Sequence, residues 1–181
     1  MYSNPGSQIY FVRPHLAVCG FAGLINRQSF ELHHFEAQLQ CASGFEPWLE
    51  TCLEVKSLPL YDGYPVPADI FWEGQQWLNQ QFSQNRKTLV SCAAGQSRSV
   101  TMVTAALHLL ENTPFLDAAW DVCTTVSEGY PHPNVLVSAA GHCGAALSFE
   151  EVRCFYDGLP AQPLFPWADD LIWAAFQEAG L

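Results

Sequence analysis

The stretch Thr88-Leu89-Val90-Ser91-Cys92-Ala93-Ala94-Gly95-Gln96-Ser97-Arg98-Ser99 runs from an apolar segment through a loop into a helix. Thr88 to Ser91 shows no polar alternation, as in a central parallel strand buried on both faces. From Ser99 to Glu111 apolar residues lie on nearly every side (Val100, Met102, Val103, Ala105, Ala106, Leu107, Leu109, Leu110), which predicts a helix deep in the fold. A loop that curls back at such a helix N-terminus aims its backbone N–H groups inward. With the positive end of the helix dipole it makes an anion cradle suited to phosphate. Ala93, Ala94, Gly95, Gln96 and Ser97 would form its wall. Gly95 suits a positive φ or a close backbone approach, and the small Ala93 and Ala94 leave the cradle open. Arg98 would grip two phosphate oxygens through its planar fork, also as charge spreads during transfer. Cys92 falls at the centre of the cradle, where the same dipoles favour the thiolate, and a thiolate is a nucleophile.

Upstream of this stretch, Ile9 to Val12 and Leu16 to Cys19 read as a strand pair, and Phe30 to Gln40 as a weakly striped helix. Leu53 to Leu60 alternates as a strand and leaves through the turn former Asp62-Gly63. Pro67 opens a helix carrying Ile70, Phe71, Trp77, Leu78 and Phe82, with Arg86-Lys87 suited to its negative end. Downstream, Asn112-Thr113-Pro114 offers a cap and an N-terminal proline to a helix from Phe115 to Val126, and another runs from Asn134 to about His142. The order predicts an α/β fold, a small central and mostly parallel sheet flanked by helices. We assign residues 1–150 to this domain. Residues 151–181 form a C-terminal extension, with a linker at Asp157-Gly158-Leu159-Pro160 and Gln162-Pro163. A short helix then begins at Trp167-Ala168-Asp169-Asp170 and ends at Gly180. Its stripe of Leu171, Ile172, Ala175 and Phe176 is expected to dock on the same domain.

With seven Cys and five Arg in 181 residues, a Cys six places before an Arg arises by chance in about one chain in five. The specificity lies in the context: the loop glycine, the hydroxyl after Arg98, the apolar strand before and the buried helix after. In that context Cys92 to Ser99 resembles the active-site signature of the cysteine-dependent protein tyrosine phosphatases, specifically the compact dual-specificity class. The similarity extends loosely through Leu16-Ala17-Val18-Cys19-Gly20, Leu58-Pro59-Leu60-Tyr61-Asp62 and Pro131-His132-Pro133-Asn134. The resemblance implies the fold of that class and a general acid about thirty residues before the cysteine. Asp62 stands at that place, with Asp69 as the competing candidate. An acid is independently required, because a phenolic or alkyl oxygen leaves poorly as an anion. The resemblance also gives Ser99 the role of bonding the departing thiolate, beside the helix-capping role that its place at the loop exit suggests. One departure concerns the residue before the nucleophile, usually His in this class and here Ser91, which weakens the expectation of turnover at neutral pH.

Composition narrows the partners. Seven Lys plus Arg against eighteen Asp plus Glu give a net charge of -11, which disfavours nucleic acid and anionic membranes. Val100 to Leu110 is the longest stretch free of charge, proline and strong turn formers, too short to span a bilayer. The cysteines are odd in number with no Cys-x-x-Cys pair, and the opening Met-Tyr-Ser-Asn-Pro-Gly-Ser has neither a basic nor an apolar signal region, so a reducing, cytoplasmic setting is expected. The six His show no pairing with carboxylates at ligand spacing, so no metal and no cofactor are expected. Cys123 and Cys143 read as core thiols. Rhodanese-like domains share the loop type but lack this upstream Asp, and remain a minor alternative. The neutral loop favours a singly phosphorylated substrate, a phosphotyrosine or phosphoserine/threonine protein or another phosphomonoester. Two functions follow from the residues: a phosphatase working through a phosphocysteine, or a phospho-binding regulatory domain of weak turnover.

Overall fold

At the centre of a five-stranded sheet lies β5 (Thr88–Cys92), buried along its whole length. The computed structural model describes residues 7–25, 31–43, 53–161 and 169–180. On either side of β5 run β2 (Leu16–Gly20) and β3 (Ala37–Gln40), both parallel to it, with Val90 opposite Val18 and Leu39. Beyond β3 lies β4 (Glu54–Ser57), also parallel, and beyond β2 lies the antiparallel β1 (Ile9–Arg13), giving the order β1-β2-β5-β3-β4. The mostly parallel sheet is therefore as expected.

The absence of alternation in β2 and β5 has a direct cause. Leu16, Val18, Leu39 and Val90 face the main core, while Ala17, Cys19 and Leu89 face a smaller cluster with Leu24 and Phe35. Both faces are covered, so both must be apolar. The main core is closed by α2 (Ala68–Ser83), α3 (Arg98–Glu111), α4 (Phe115–Thr125), α5 (Pro133–His142) and α6 (Phe149–Gly158). In α3 every residue from Ser99 to Leu107 is buried, as its apolar pattern predicts, but Leu109 and Leu110 in its last turn are exposed, where the helix runs out past the core. Fully buried Phe71, Leu78, Met102 and Leu136 contribute roughly 1.5–3 kcal/mol each. A short α1 (Phe21–Leu24) follows β2.

Several local expectations are overturned. Residues 31–33 are helical, but His34 turns to φ 50 and residues 37–40 are strand rather than helix. Gln38 and Gln40, which weaken the helical stripe in the sequence, are both fully buried with side-chain hydrogen bonds, so tertiary pairing overrides the local pattern. Leu58 and Leu60 lie beyond β4 and are buried in the following segment. Arg86 does not serve the end of α2, which stops at Ser83; it binds the Glu54 carboxylate and the Glu36 carbonyl instead. Asn112 ends α3 in the left-handed region at φ 53, and Pro114 rather than a side chain opens α4.

The segment containing Asp157 and Gly158 is the end of α6, not linker. Its start carries a capping box in which Ser148 accepts from the Glu151 N–H and Glu151 accepts in return from the Ser148 N–H. Gln162-Pro163 and Trp167-Ala168 lie outside the described residues. The last helix, α7 (Asp169–Ala179), packs on α5 and α6 through buried Ile172, Ala175 and Phe176, while Leu171 is exposed. Trp173 stacks on Phe149 with ring centroids 4.6 Å apart.

Candidate active site

Cys92 ends β5, and the loop after it lies outside the carboxyl ends of the parallel strands, where open α/β sheets bind ligands. The loop is held from outside at two carbonyls: Phe21 N–H donates to Ala93 O and Tyr130 N–H to Gln96 O, both at 2.9 Å. Between these anchors Gly95 turns to φ 75 and directs its N–H to Cys92 Sγ at 3.2 Å. A Cβ at Gly95 would lie 2.5 Å from Gly20 N and 2.7 Å from Cys19 C, so β2 passes too close for any side chain. The glycine is required by conformation and by space together.

Cys92 is 1% exposed, at the bottom of the loop. The Ser99 hydroxyl, in the first turn of α3, lies 3.2 Å from Sγ. It contacts the sulfur, and no side chain caps α3, whose N-cap residue is Ser97. Arg98 donates from Nη1 to Leu60 O at 3.2 Å. Its Nε is buried and has no hydrogen-bond partner among the described residues, leaving a donor for an oxyanion.

Arg98 thereby touches the segment that carries Asp62. That segment leaves β4 through buried Leu58 and Leu60 and turns at Asp62-Gly63, with Gly63 at φ 84. The Ser97 hydroxyl donates to Asp62 Oδ1 at 2.6 Å and accepts from His132 N–H at 2.9 Å. Asp69 sits in the first turn of α2, where a carboxylate suits the positive helix end. Cys92, Arg98, Ser99 and Asp62 are thus gathered around one loop.

Next to Cys92, Ser91 at the position where the resemblance implies a histidine is fully buried. Its hydroxyl donates to Gln40 Oε1 and accepts from Gln38 Nε2 at 2.9 Å, while Gln40 Nε2 donates to Ala42 O at 3.1 Å. Sequence reasoning missed this network because Gln carries no positional signal for burial. It also missed two residues beside the Asp62-Gly63 turn. His132 caps α5 by accepting from Asn134 N–H at Nδ1, and Asn134 Nδ2 donates to Gly63 O at 2.9 Å. Burial pulls the His132 pKa below its ordinary value, against the opposing pull of the Asp62 and Glu178 charges.

The surrounding thiols differ in character. Burial pushes the Cys41 thiol well up, helped by the nearby Cys92 and opposed by Arg98, and Cys19 is pushed up by burial and Cys92. Burial alone pushes Cys123 and Cys143 up to about 12. The described cysteines are all free thiols. Among the described residues no group of three His, Cys, Asp or Glu is placed to hold a metal ion, and no helix is long and apolar enough to cross a membrane.

Comparison with known proteins places the architecture. No family model matches the chain, and no curated protein matches it in sequence. Solved structures do match. Human DUSP28 superposes with a TM-score of 0.70 at 14% identity, covering 79% of this chain and 96% of its own. DUSP15 gives 0.67 at 20% identity over 85% of this chain and 98% of its own. A human tyrosine phosphatase-like serine/threonine/tyrosine-interacting protein gives 0.63 at 15% identity over 83% and 98%. The chain has the dual-specificity phosphatase fold, as the resemblance of its Cys92 loop implied.

Proposed function

We propose that this chain, built on the dual-specificity phosphatase fold, hydrolyses phosphomonoesters of proteins, at phosphotyrosine and/or phosphoserine/threonine, through a phosphocysteine intermediate. One observation carries the reading: Cys92 Sγ lies 3.2 Å from both the Gly95 amide and the Ser99 hydroxyl, at the floor of the loop that Arg98 closes. On a thiolate both the Gly95 N–H and the Ser99 hydroxyl donate to the sulfur, and such bonds stabilise negative charge there. The unpartnered Nε of Arg98 supports an oxyanion as the missing acceptor.

In the proposed reaction the Cys92 thiolate attacks phosphorus in line, forming S–P as the ester P–O bond breaks. Asp62 gives its proton to the leaving oxygen. Water then attacks the phosphocysteine, Asp62 takes a proton from it, and S–P breaks to release inorganic phosphate. Ser99 bonds the departing thiolate. Arg98 holds the equatorial oxygens in both steps. The side chains of Ala93, Ala94, Gln96 and Ser97 carry no charge, which favours a substrate with one phosphate.

The test is hydrolysis of a generic aryl phosphate. The wild type is expected to turn over and to be inhibited by vanadate. Cys92→Ser should abolish turnover, and Asp62→Asn should lower kcat by on the order of 10²–10⁴ while flattening the pH profile. A wild type that binds vanadate but hydrolyses nothing would instead support a phospho-binding regulatory domain. The observation favouring that second reading is Ser91, whose neutral hydroxyl is committed to Gln38 and Gln40 where a histidine is usual.

A further inference from the structure

The C-terminal helix reaches the acid side of the site. Asn134 Nδ2 carries two hydrogens and serves two acceptors, Gly63 O at 2.9 Å and Glu178 Oε2 at 3.0 Å. Both partners are acceptors only, so the amide must present its nitrogen to them. Gly63 follows Asp62 and holds the left-handed turn that aims the acid. Glu178 is brought there by the docking of α7 through Ile172, Ala175 and Phe176. His132 completes the arrangement, a half-buried imidazole within reach of both the Asp62 and Glu178 charges.

We propose that Glu178 is a positioning residue for Asp62: by accepting one N–H of Asn134 it fixes the amide whose other N–H holds the Asp62-Gly63 turn. The proposal rests on the phosphatase reading above. It gives the C-terminal helix a part in leaving-group protonation, without contact between that helix and the substrate. Glu178 itself is exposed, so its replacement removes one hydrogen bond and leaves the buried face of α7 intact.

A positioning role is separated from a merely structural one by the leaving group. An ester of a weakly acidic phenol needs the proton from Asp62, whereas a dinitrophenyl ester leaves well as an anion. Steady-state rates would be measured on phenyl phosphate and dinitrophenyl phosphate for the wild type, Glu178→Ala and Glu178→Gln, each in the Asp62 and Asp62→Asn backgrounds. Glu178→Ala is expected to lower kcat on phenyl phosphate about three- to tenfold, the worth of one lost hydrogen bond, with KM and the dinitrophenyl rate little changed. Glu178→Gln keeps an acceptor and should restore the rate. In Asp62→Asn the alanine change should add nothing, because coupled residues are not additive. Equal loss on both esters, equal loss in the Asp62→Asn background, or no loss in an active enzyme would each overturn the proposal. A wild type inactive on both esters would overturn the phosphatase reading itself, and this inference with it.

Discussion

The Ser97 hydroxyl donates to Asp62 Oδ1 across 2.6 Å while it accepts from the backbone N–H of His132. One side chain of the Cys92–Arg98 loop thus spans the Asp62-Gly63 turn and the entry to α5. Ser97→Ala removes the span without altering the backbone amides of the cradle. If Asp62 is the acid, kcat on phenyl phosphate should fall about three- to tenfold with little change in vanadate affinity. A matching loss of vanadate affinity would show that Ser97 shapes the cradle rather than the acid.

Gly95→Ala confronts both of the constraints on that position. The left-handed φ of 75 strains any residue with a Cβ, and the added carbon would press on Gly20 N at 2.5 Å. Each effect costs on the order of 1–3 kcal/mol. The urea midpoint should drop accordingly and vanadate binding should be lost, measured by denaturation and by calorimetry. Unchanged stability would mean that the loop does not take this path against β2.

Thiol chemistry offers a test that needs no substrate. Cys19, Cys41 and Cys123 are buried and their pKa values are pushed up, so iodoacetamide near pH 7 should leave them unlabelled until the protein is denatured. Cys154 is exposed and should label regardless of added anion. Cys92 is equally buried, but on the proposed reading its thiolate is reached through the cradle, so it should label and phosphate or vanadate should block that labelling. Peptide mapping that finds Cys92 labelling indifferent to both anions would remove it from the cradle.

Legibility followed the source of each constraint. The Cys92 to Arg98 loop, β5 and α3 were readable because one face or all faces of each element must be apolar, and because Gly95 answers a backbone need that few residues can meet. The segment at residues 37–40 was not, since Gln38 and Gln40 become buried only through partners far away in the chain, Ser91 above all. The α6 helix was within reach: Ser148 and Glu151 carry the spacing of a capping box, but Asp157-Gly158 drew attention to a break that falls at the helix end. Asp62 is legible from chemistry and resemblance, but Asn134 and Glu178 are not, because their meeting depends on how α7 docks.

The pH dependence of stability should carry the mark of His132. Its pKa is lowered by burial, so the unfolded chain takes up the proton first as pH falls from about 6.5, the ordinary histidine value. The stability contribution of neutral His132 is therefore complete near pH 7.5 and declines through the folded-state value. Glu54, Glu111 and Glu151, all held below the usual carboxylate range, lose their contributions only below about pH 4.5, in a separate window. Urea midpoints at pH 7.5 and 5.5 should differ less for His132→Asn, which keeps an N-cap acceptor, than for the wild type. Equal differences would acquit His132.

The glutamine pair beneath Cys92 makes positions 40 and 91 inseparable for anyone redesigning the site. Both side chains are wholly enclosed, and the Ser91 hydroxyl already meets Gln40 Oε1. Grafting an imidazole at 91 by itself would overfill that space and leave the Gln40 carbonyl oxygen to find a new donor. A histidine transplant must shrink residue 40 in the same step, so a library varying either position alone would sample mostly misfit pairs.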